Sequence, residues 1–526
     1  MNIQKDIEAL ENVLAGAEAL YLPVKTTLGP KGRNVLIRDK FGKFTITHDG
    51  VTVAKAINLK DDPKSIGVEI IKEASRKMDE VGDGTTSVTV LTYHLIAEAK
   101  KLIDAGENPM TIKRKLEAEI EPLVAKIKER AVKIEKTEKD VLPVATVAVG
   151  DPKLGQMVAE LMAELGYEGA ITVEVTQSLE TTTKVVEGFV FDRGYMSPYF
   201  ATEAREAKLK NPAVIVTKGV ISDLMEYENV FNVLAEQKIG SVIVIADNIE
   251  PDALSTLILN KVKGGLNIVA VKAPGFGDAK LDNLRDICAV TGATLIDPEV
   301  GDWQANLGFN TLGAAEQIVV TNDETVIIGG QGNYIDVRVD KLTKRLKKAK
   351  IDEKQDIEDR IARLRGKVGI IKVGGATDTE ADEKKYRIDD AVASVKAALQ
   401  DGIVAGGGVT LRDLSPDVFG RTGVTEKEGD KILMALGVAL CKPYDILLEN
   451  SGYDPTTKFK PGEGMNILTG EMVDTLKTGI VDPAKVTTEV VRNGITTACL
   501  AISVGGAIVD QQLSQDQMAQ LMNMGN

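Results

Sequence analysis

Aromatic residues make up only 4% of the 526-residue chain, and there is one tryptophan, Trp303. A surface that stacks bases needs more rings than that, which argues against a nucleic-acid platform. Basic charge is also in deficit, with 64 Lys and Arg against 78 Asp and Glu and a net charge of −14. Nucleic acid and anionic membrane are therefore not expected as partners. Cys288, Cys441 and Cys499 are far apart, show no CxxC spacing and sit in apolar helical text. They read as reduced core thiols. The two histidines, His48 and His94, offer no familiar zinc spacing with them, so any metal chemistry should be hard-cation chemistry. Met1 to Asp6 contain no apolar signal core and no later run reaches the length of a membrane span, so the chain is expected in the cytoplasm.

Familiar catalytic signatures are missing as well. There is no GxxxxGK[ST], no strand followed by GxGxxG and an acidic residue, and no nucleophile elbow beside a histidine. Conventional P-loop, dinucleotide and Ser/His/Asp readings lose their basis.

What is present is length enough for about three domains and a large core. The stretch that draws chemistry is Val81-Gly82-Asp83-Gly84-Thr85-Thr86-Ser87-Val88, which opens an apolar helical run through Leu91, Leu95, Ala99 and Leu102. A glycine turn lets backbone N–H groups approach an anion, and the helix N-terminus adds its positive dipole end. Asp83 would repel a bare phosphate, so its place beside the turn makes sense with Mg²⁺ between carboxylate and phosphate. An ordinary turn with threonine caps fits the same spacing.

Two more loops of this kind precede it. Apolar Ile7, Leu10, Leu14, Ala17 and Leu20 predict a helix stopped at Gly29-Pro30, and Thr26 to Asn34 then lead into the strand Val35-Leu36-Ile37. The strand-like Phe44-Thr45-Ile46 ends in Thr47-His48-Asp49-Gly50, where Asp49 also suits a plain Asx-turn. Residues 64–133 read as closely packed helices, and 134–190 as a small mixed module with the alternating strand 170–175. Between 188 and 368 strands at 213–216, 241–245 and 267–271 alternate with helices over 221–236, from Asp252, and over 279–291, an α/β pattern. The apolar stripe of the Asp252 helix is wide enough to face a core and something else. Residues 338–366 read as a solvated helical pair because acidic residues follow the basic run. A strand near 369–373 and a helix holding Asp389 and Asp390 lead to Gly406-Gly407-Gly408, which suits either a flat ligand or close helix packing. The text from 409 onward is again helical and rich in small residues, so the two ends of the chain read as one interrupted domain.

Several of these runs, in order, resemble the bacterial-type (group I) 60-kDa chaperonins: Thr27 to Asn34, Asp49 to Ala54, Gly82 to Thr86, Phe191 to Phe200, Lys272 to Asp278 and Val404 to Gly408. The resemblance spans nearly the whole chain. It implies a multidomain α and α/β fold: an equatorial ATP-binding domain from 1–130 and 401–526, an intermediate hinge domain from 131–187 and 369–400, and an apical substrate domain over 188–368. It implies an ATPase, converting ATP and water to ADP and phosphate, that assists folding inside a homo-oligomeric seven-membered ring. By similarity, Thr27, Leu28, Gly29, Pro30, Asp83, Gly84, Thr85, Thr86 and Ser87 hold the phosphates, with Asp83 on Mg²⁺. Gly407, Asn466, Ile467, Leu468, Ile480 and Asp482 lie against the nucleoside. Asp49 and Asp390 are the hydrolytic carboxylates, and the backbones of Thr27 and His48 bind K⁺. Unfolded or misfolded clients meet an apolar apical face formed by Tyr195, Ser197, Tyr199, Phe200, Leu254, Ile258 and Leu259. The first apical helix contains an inserted residue, and its client-facing positions are taken as Val230, Phe231 and Leu234. A lid co-chaperonin would close the cavity.

The chain departs from the family at several points. His48 stands where relatives usually have lysine, and the C-terminal 511–526 lack Gly-Gly-Met repeats, which leaves a cavity-floor role for the tail without support. Two other classes compete: a small-molecule phosphotransferase, for which the sequence shows no dedicated acceptor pocket, and an assembly-only ring, against which the intact Asp49, Asp83 and Asp390 set argues. Asp445 replaces an arginine that commonly reaches the opposite ring, and a reversed charge forfeits that ion pair. We expect electron microscopy of the nucleotide-free protein to show single rings, or a double ring with altered contacts; a stable back-to-back double ring rules out the single-ring form.

Overall fold

The structure is a computed structural model describing residues 2–38, 44–59, 63–79, 81–165, 170–176, 178–201, 206–263, 265–275, 277–299, 308–347, 351–420, 430–456 and 460–509. Trp303, Phe276 of the Lys272–Asp278 run and the tail 511–526 lie outside these residues. The chain divides into two compact units, one of Met1–Tyr167, Val175–Thr181 and Val373–Asn526, the other of Glu168–Glu174 and Thr182–Lys372. By this division the segments 131–167 and 373–400 belong to the first unit and are not set apart as a body of their own.

The first unit is mainly helical and joins the two ends of the chain. Its core takes Val13, Leu20, Leu91 and Leu123 from the N-terminal part and Leu414, Leu440, Val491 and Ile495 from the C-terminal part. The strand Asn2–Lys5 pairs antiparallel with Gly506–Val509, Ile3 opposite Ile508. The unit's longest helices are Asp6–Lys25, Thr85–Asp104, Pro109–Arg130, Asp378–Asp401, Lys431–Ser451 and Ala484–Ile502. Each buries one apolar stripe, as the spacing of Leu10, Val13, Ala17 and Leu20 illustrates. The short hairpin Val35–Arg38 with Phe44–Thr47 matches the two strands read from the sequence.

The second unit is built on a nine-stranded mixed sheet. Its parallel part sets Ala213–Val216 beside Ser241–Ala246 beside Asn267–Lys272, with Val244 paired to both Ile215 and Ala270. These strands are apolar on both faces because helices Glu228–Glu236, Pro251–Val262 and Asp278–Thr291 alternate with them along the chain. The helix expected over 221–236 is shorter. Val220–Ile221 forms a strand with Asn248–Ile249, and Leu224–Tyr227 is a 3₁₀ turn before the helix starts at Glu228. Asp223 accepts a hydrogen bond from the Met225 N–H at 2.9 Å, a local alternative to helix that delays the start.

The charged segment 338–366 forms the expected pair of helices, Ile335–Leu346 and Ile351–Leu364, but two of its cations turn inward. Asp286, 2% exposed, accepts from Arg338 Nε at 2.6 Å and from Arg360 Nε at 2.7 Å. Asp282 takes Arg345 at 2.6 Å and Arg360 at 3.1 Å. A carboxylate buried this deeply stays charged only with such partners, which is why the run is not simply solvated. Removing one member strands the others. Asp286→Ala is expected to destabilise the second unit by about 3–5 kcal/mol, read as a lowered denaturant midpoint for its unfolding transition.

Candidate functional site

Glycine governs the approach to the Gly82-Asp83-Gly84 turn. Gly82 and Gly84 adopt φ of +91° and +85°, a region favouring glycine. A Cβ on Gly82 would lie 2.2 Å from the Ala393 Cβ, and one on Gly84 would meet Val486 at 2.9 Å. The helix Thr85–Asp104 begins at Gly84 without a side-chain cap, leaving its first-turn amides for another partner. Thr85 is buried, and the Thr86 hydroxyl stands 3.3 Å from that of Thr27, which joins the first loop to the second. Asn450 ties that first loop down by donating to the carbonyls of Lys25 at 2.8 Å and Leu28 at 3.1 Å.

These pieces enclose a cavity of about 150 Å³. Leu28, Asp83, Gly84, Ser87, Gly407 and Asp482, all singled out from the sequence, line it together. The third glycine stretch closes one side. Gly407 and Gly408 take φ of +64° and +80°, and their N–H groups hydrogen-bond the Asp482 carboxylate, which the pairing of Val404 with Asp482 brings alongside. Burial and the neighbouring Asp83 push the Asp482 carboxyl up to about 7, against the pull of the two glycine amides. Asp83 is raised too, chiefly by burial and further by Asp49, while Gly84 N–H and the Ser394 hydroxyl oppose the rise.

The other site residues expected from the sequence do not line this cavity. Asp49 caps the helix Gly50–Ala56, its Oδ1 accepting Val51 N–H at 3.0 Å and its Oδ2 accepting Thr52 N–H at 2.8 Å and Thr52 Oγ1 at 2.6 Å. So the Asx-type cap is present, at a carboxylate close enough to Asp83 to influence it. Burial, then Arg387, lower the pKa of His48. Ile467 is buried against Leu447 beside Leu28, and the Ile480 carbonyl accepts Gly406 N–H at 3.0 Å. Asn466 caps its own turn through Leu468 N–H, Leu468 is 73% exposed, and Pro30 is exposed beyond the positive-φ Gly29. Asp390 lies on the helix Asp378–Asp401, one turn before Ser394.

The TCP-1/cpn60 chaperonin family model matches residues 22–512 of this chain. The chain belongs to that family. Its fold is also similar to the chaperonin gp146 from bacteriophage EL 2 (Pseudomonas aeruginosa), crystallised in the presence of ATP-BeFx. That likeness covers 97% of this chain and 100% of the other at 22% identity, with a TM-score of 0.68 in one crystal form and 0.63 in a second.

In this chaperonin the second unit holds the expected client-facing residues, and they divide. Tyr199 is 72% and Leu259 54% exposed, while Tyr195, Phe231, Leu254 and Ile258 are half-buried against the core. Phe200, Val230 and Leu234 are core residues, at most 2% exposed, and Ser197 is buried as the cap of the turn Pro198–Phe200. The open-face assignment of those four is corrected: Val230 and Leu234, four apart, share the helix face that packs on the sheet. Met225, Val220 and Val262 are exposed apolar residues of the same unit that the sequence reading passed over.

Reading the sequence also missed part of the cavity wall of the chaperonin. Pro443 and Leu447 come from one helix, Val486, Thr487 and Val490 from another, and Thr410 and Leu411 from the first turn of the helix Val409–Gly420. The spacing 443/447 and 486/490 puts each pair on one helix face, the only signal that would have found them. A sign follows for Asp482, whose folded pKa is raised: the uncharged form is favoured by folding, so its contribution is complete below about pH 4 and is lost as pH rises towards 7. Asp482→Asn should therefore raise the melting temperature of the nucleotide-free protein more at pH 8 than at pH 5. Equal effects at both pH values would show that Asp482 is not held protonated.

Proposed function

We propose that this chaperonin is an ATP-driven folding machine that binds non-native proteins on an apolar face of its second unit and hydrolyses Mg-ATP in its first. The observation that carries the reading is the convergence of Leu28, Asp83, Gly84, Ser87, Gly407 and Asp482 on one cavity. No two of the stretches 28, 83–87, 407 and 482 are neighbours in sequence. An uncapped helix start and a glycine turn whose Cβ positions are already filled suit phosphate oxygens approaching backbone amides. Asp482 and the Gly407 turn would meet the nucleoside, with Asn466, Ile467, Leu468 and Ile480 beside them.

The donor set also fits the metal. Among the described residues no three Asp, Glu, His or Cys side chains converge as ligands, and Mg²⁺ held by one carboxylate with phosphates and water needs only Asp83. The ion would neutralise phosphate charge when bound. Backbone carbonyls of Thr27 and His48 remain the proposed K⁺ ligands. Asp49, held rigid by its three donors, and Asp390, on the helix packed against Gly82, are the carboxylates to orient or deprotonate the attacking water. Movement of that hinge helix would gate hydrolysis, and the hinge segments 131–187 and 369–400 would carry it.

Exposed Tyr199 and Leu259 with half-buried Tyr195, Phe231, Leu254 and Ile258 supply a non-directional apolar surface for chains that have not buried their own. Assembly as a seven-membered ring, a lid co-chaperonin and a cytoplasmic setting belong to the same reading; among the described residues no helix is long and apolar enough to cross a membrane. Refolding of a denatured client with ATP tests it. Asp390→Ala should bind ATP and client as the parent does while turning over ATP at least about 10²-fold more slowly and releasing little refolded client. Unchanged turnover removes Asp390 from the mechanism, and absence of ATP turnover in the parent removes the reading itself.

A further inference from the structure

Ser394 is completely buried, on the same helix as Asp390 and one turn after it. Its hydroxyl donates to Asp83 Oδ2 at 3.3 Å, while Asp83 Oδ1 accepts the Gly84 N–H. Beside it, Ala393 occupies the space that a side chain on Gly82 would need. Two independent features therefore seat the helix Asp378–Asp401 on the acidic turn: a shape fit at Gly82 and Ala393, and a hydrogen bond between Ser394 and Asp83. Residues four apart project from one helix face, so whatever fixes Ser394 also fixes Asp390 relative to Asp83.

We propose that Ser394 is a positioning residue: its hydroxyl latches the helix bearing Asp390 onto the Asp83 turn and, through that turn, aims the Asp83 carboxylate. The proposal rests on the ATPase reading for its functional consequence, but the latch belongs to the nucleotide-free chain. A hydroxyl in contact with a carboxylate that has lost much of its water does more than fill space. It satisfies one carboxylate oxygen and leaves the orientation of the other to Gly84. Without it, Asp83 can rotate and the helix is held by packing alone.

The test uses Ser394→Ala in the full chain, with Ser394→Cys as a slightly larger variant of the same shape that offers only a weak donor. In the nucleotide-free protein, amide hydrogen exchange at Gly82 and Gly84 should rise about tenfold in both variants, with exchange in the second unit unchanged. Unaltered exchange at the turn overturns the latch, as does a rise shared equally by both units, which marks general destabilisation. In turnover assays, Ser394→Ala should lower kcat about five- to tenfold and raise the Mg²⁺ concentration for half-maximal rate. In an Asp390→Ala background the same change should lower kcat no further. Additive losses would show that Ser394 does not act by placing Asp390. If the parent has no ATP turnover, the functional reading fails while the exchange result still decides whether the latch exists.

Discussion

Backbone meets backbone around the cavity at distances no side chain would tolerate. A Cβ on Gly82 would overlap Ala393, one on Gly406 would stand 2.6 Å from the Val481 carbonyl carbon, and one on Gly408 would be 2.9 Å from the Tyr444 nitrogen. These contacts bring the helices Asp378–Asp401 and Lys431–Ser451 and the strand Val481–Pro483 onto two glycine turns. The same closeness presses Asp83 and Asp482 together in a poorly hydrated space, where both carboxyls are driven toward the neutral form. A site so built is unfavourable for its own charges: glycine permits the close packing, and the packing drives both carboxyls toward the neutral form.

Asp49 shows how firmly a cap can hold a carboxylate. A carboxylate offers about four lone-pair directions, and the cap of helix Gly50–Ala56 uses three donors, two on one oxygen. Such a cap holds the side chain in one orientation, and a helix cap would not by itself exclude a second role for the same carboxylate.

How far this was legible in the sequence differs between the two units. Glycine turns are written in residues that few other structures need, so the runs at 27–30, 82–87 and 406–408 stand out in the sequence as candidate ligand loops, with ordinary turns or close helix packing as the alternatives. The cavity's apolar walls announced nothing, because Leu447, Val486 and Val490 are ordinary helix residues whose inward face depends on which neighbour the helix meets. Ser394 was invisible for a related reason: one hydroxyl in an apolar helical stripe has no pattern. In the second unit, apolar spacing found the helices, while the resemblance set Val230 and Leu234 on an open face where the structure buries them. The 3₁₀ turn Leu224–Tyr227 changes where the next helix begins, and with it the direction in which Val230 and Leu234 point.

The helix Pro251–Val262 carries this further. At 100° per residue, Ala253 and Leu257 lie together on the buried side, Leu259 and Val262 lie roughly opposite in solvent, and Leu254 and Ile258 fall between and are half-buried. A helix that needed only to cover its sheet would have one apolar stripe and a polar back. This one is apolar over a much wider arc, and the outer part of that arc does nothing for the core it faces away from. Leaving Leu259 and Val262 in water forgoes about 1–2 kcal/mol each relative to burial, so this outer part of the helix adds nothing to the stability of the unit that displays it.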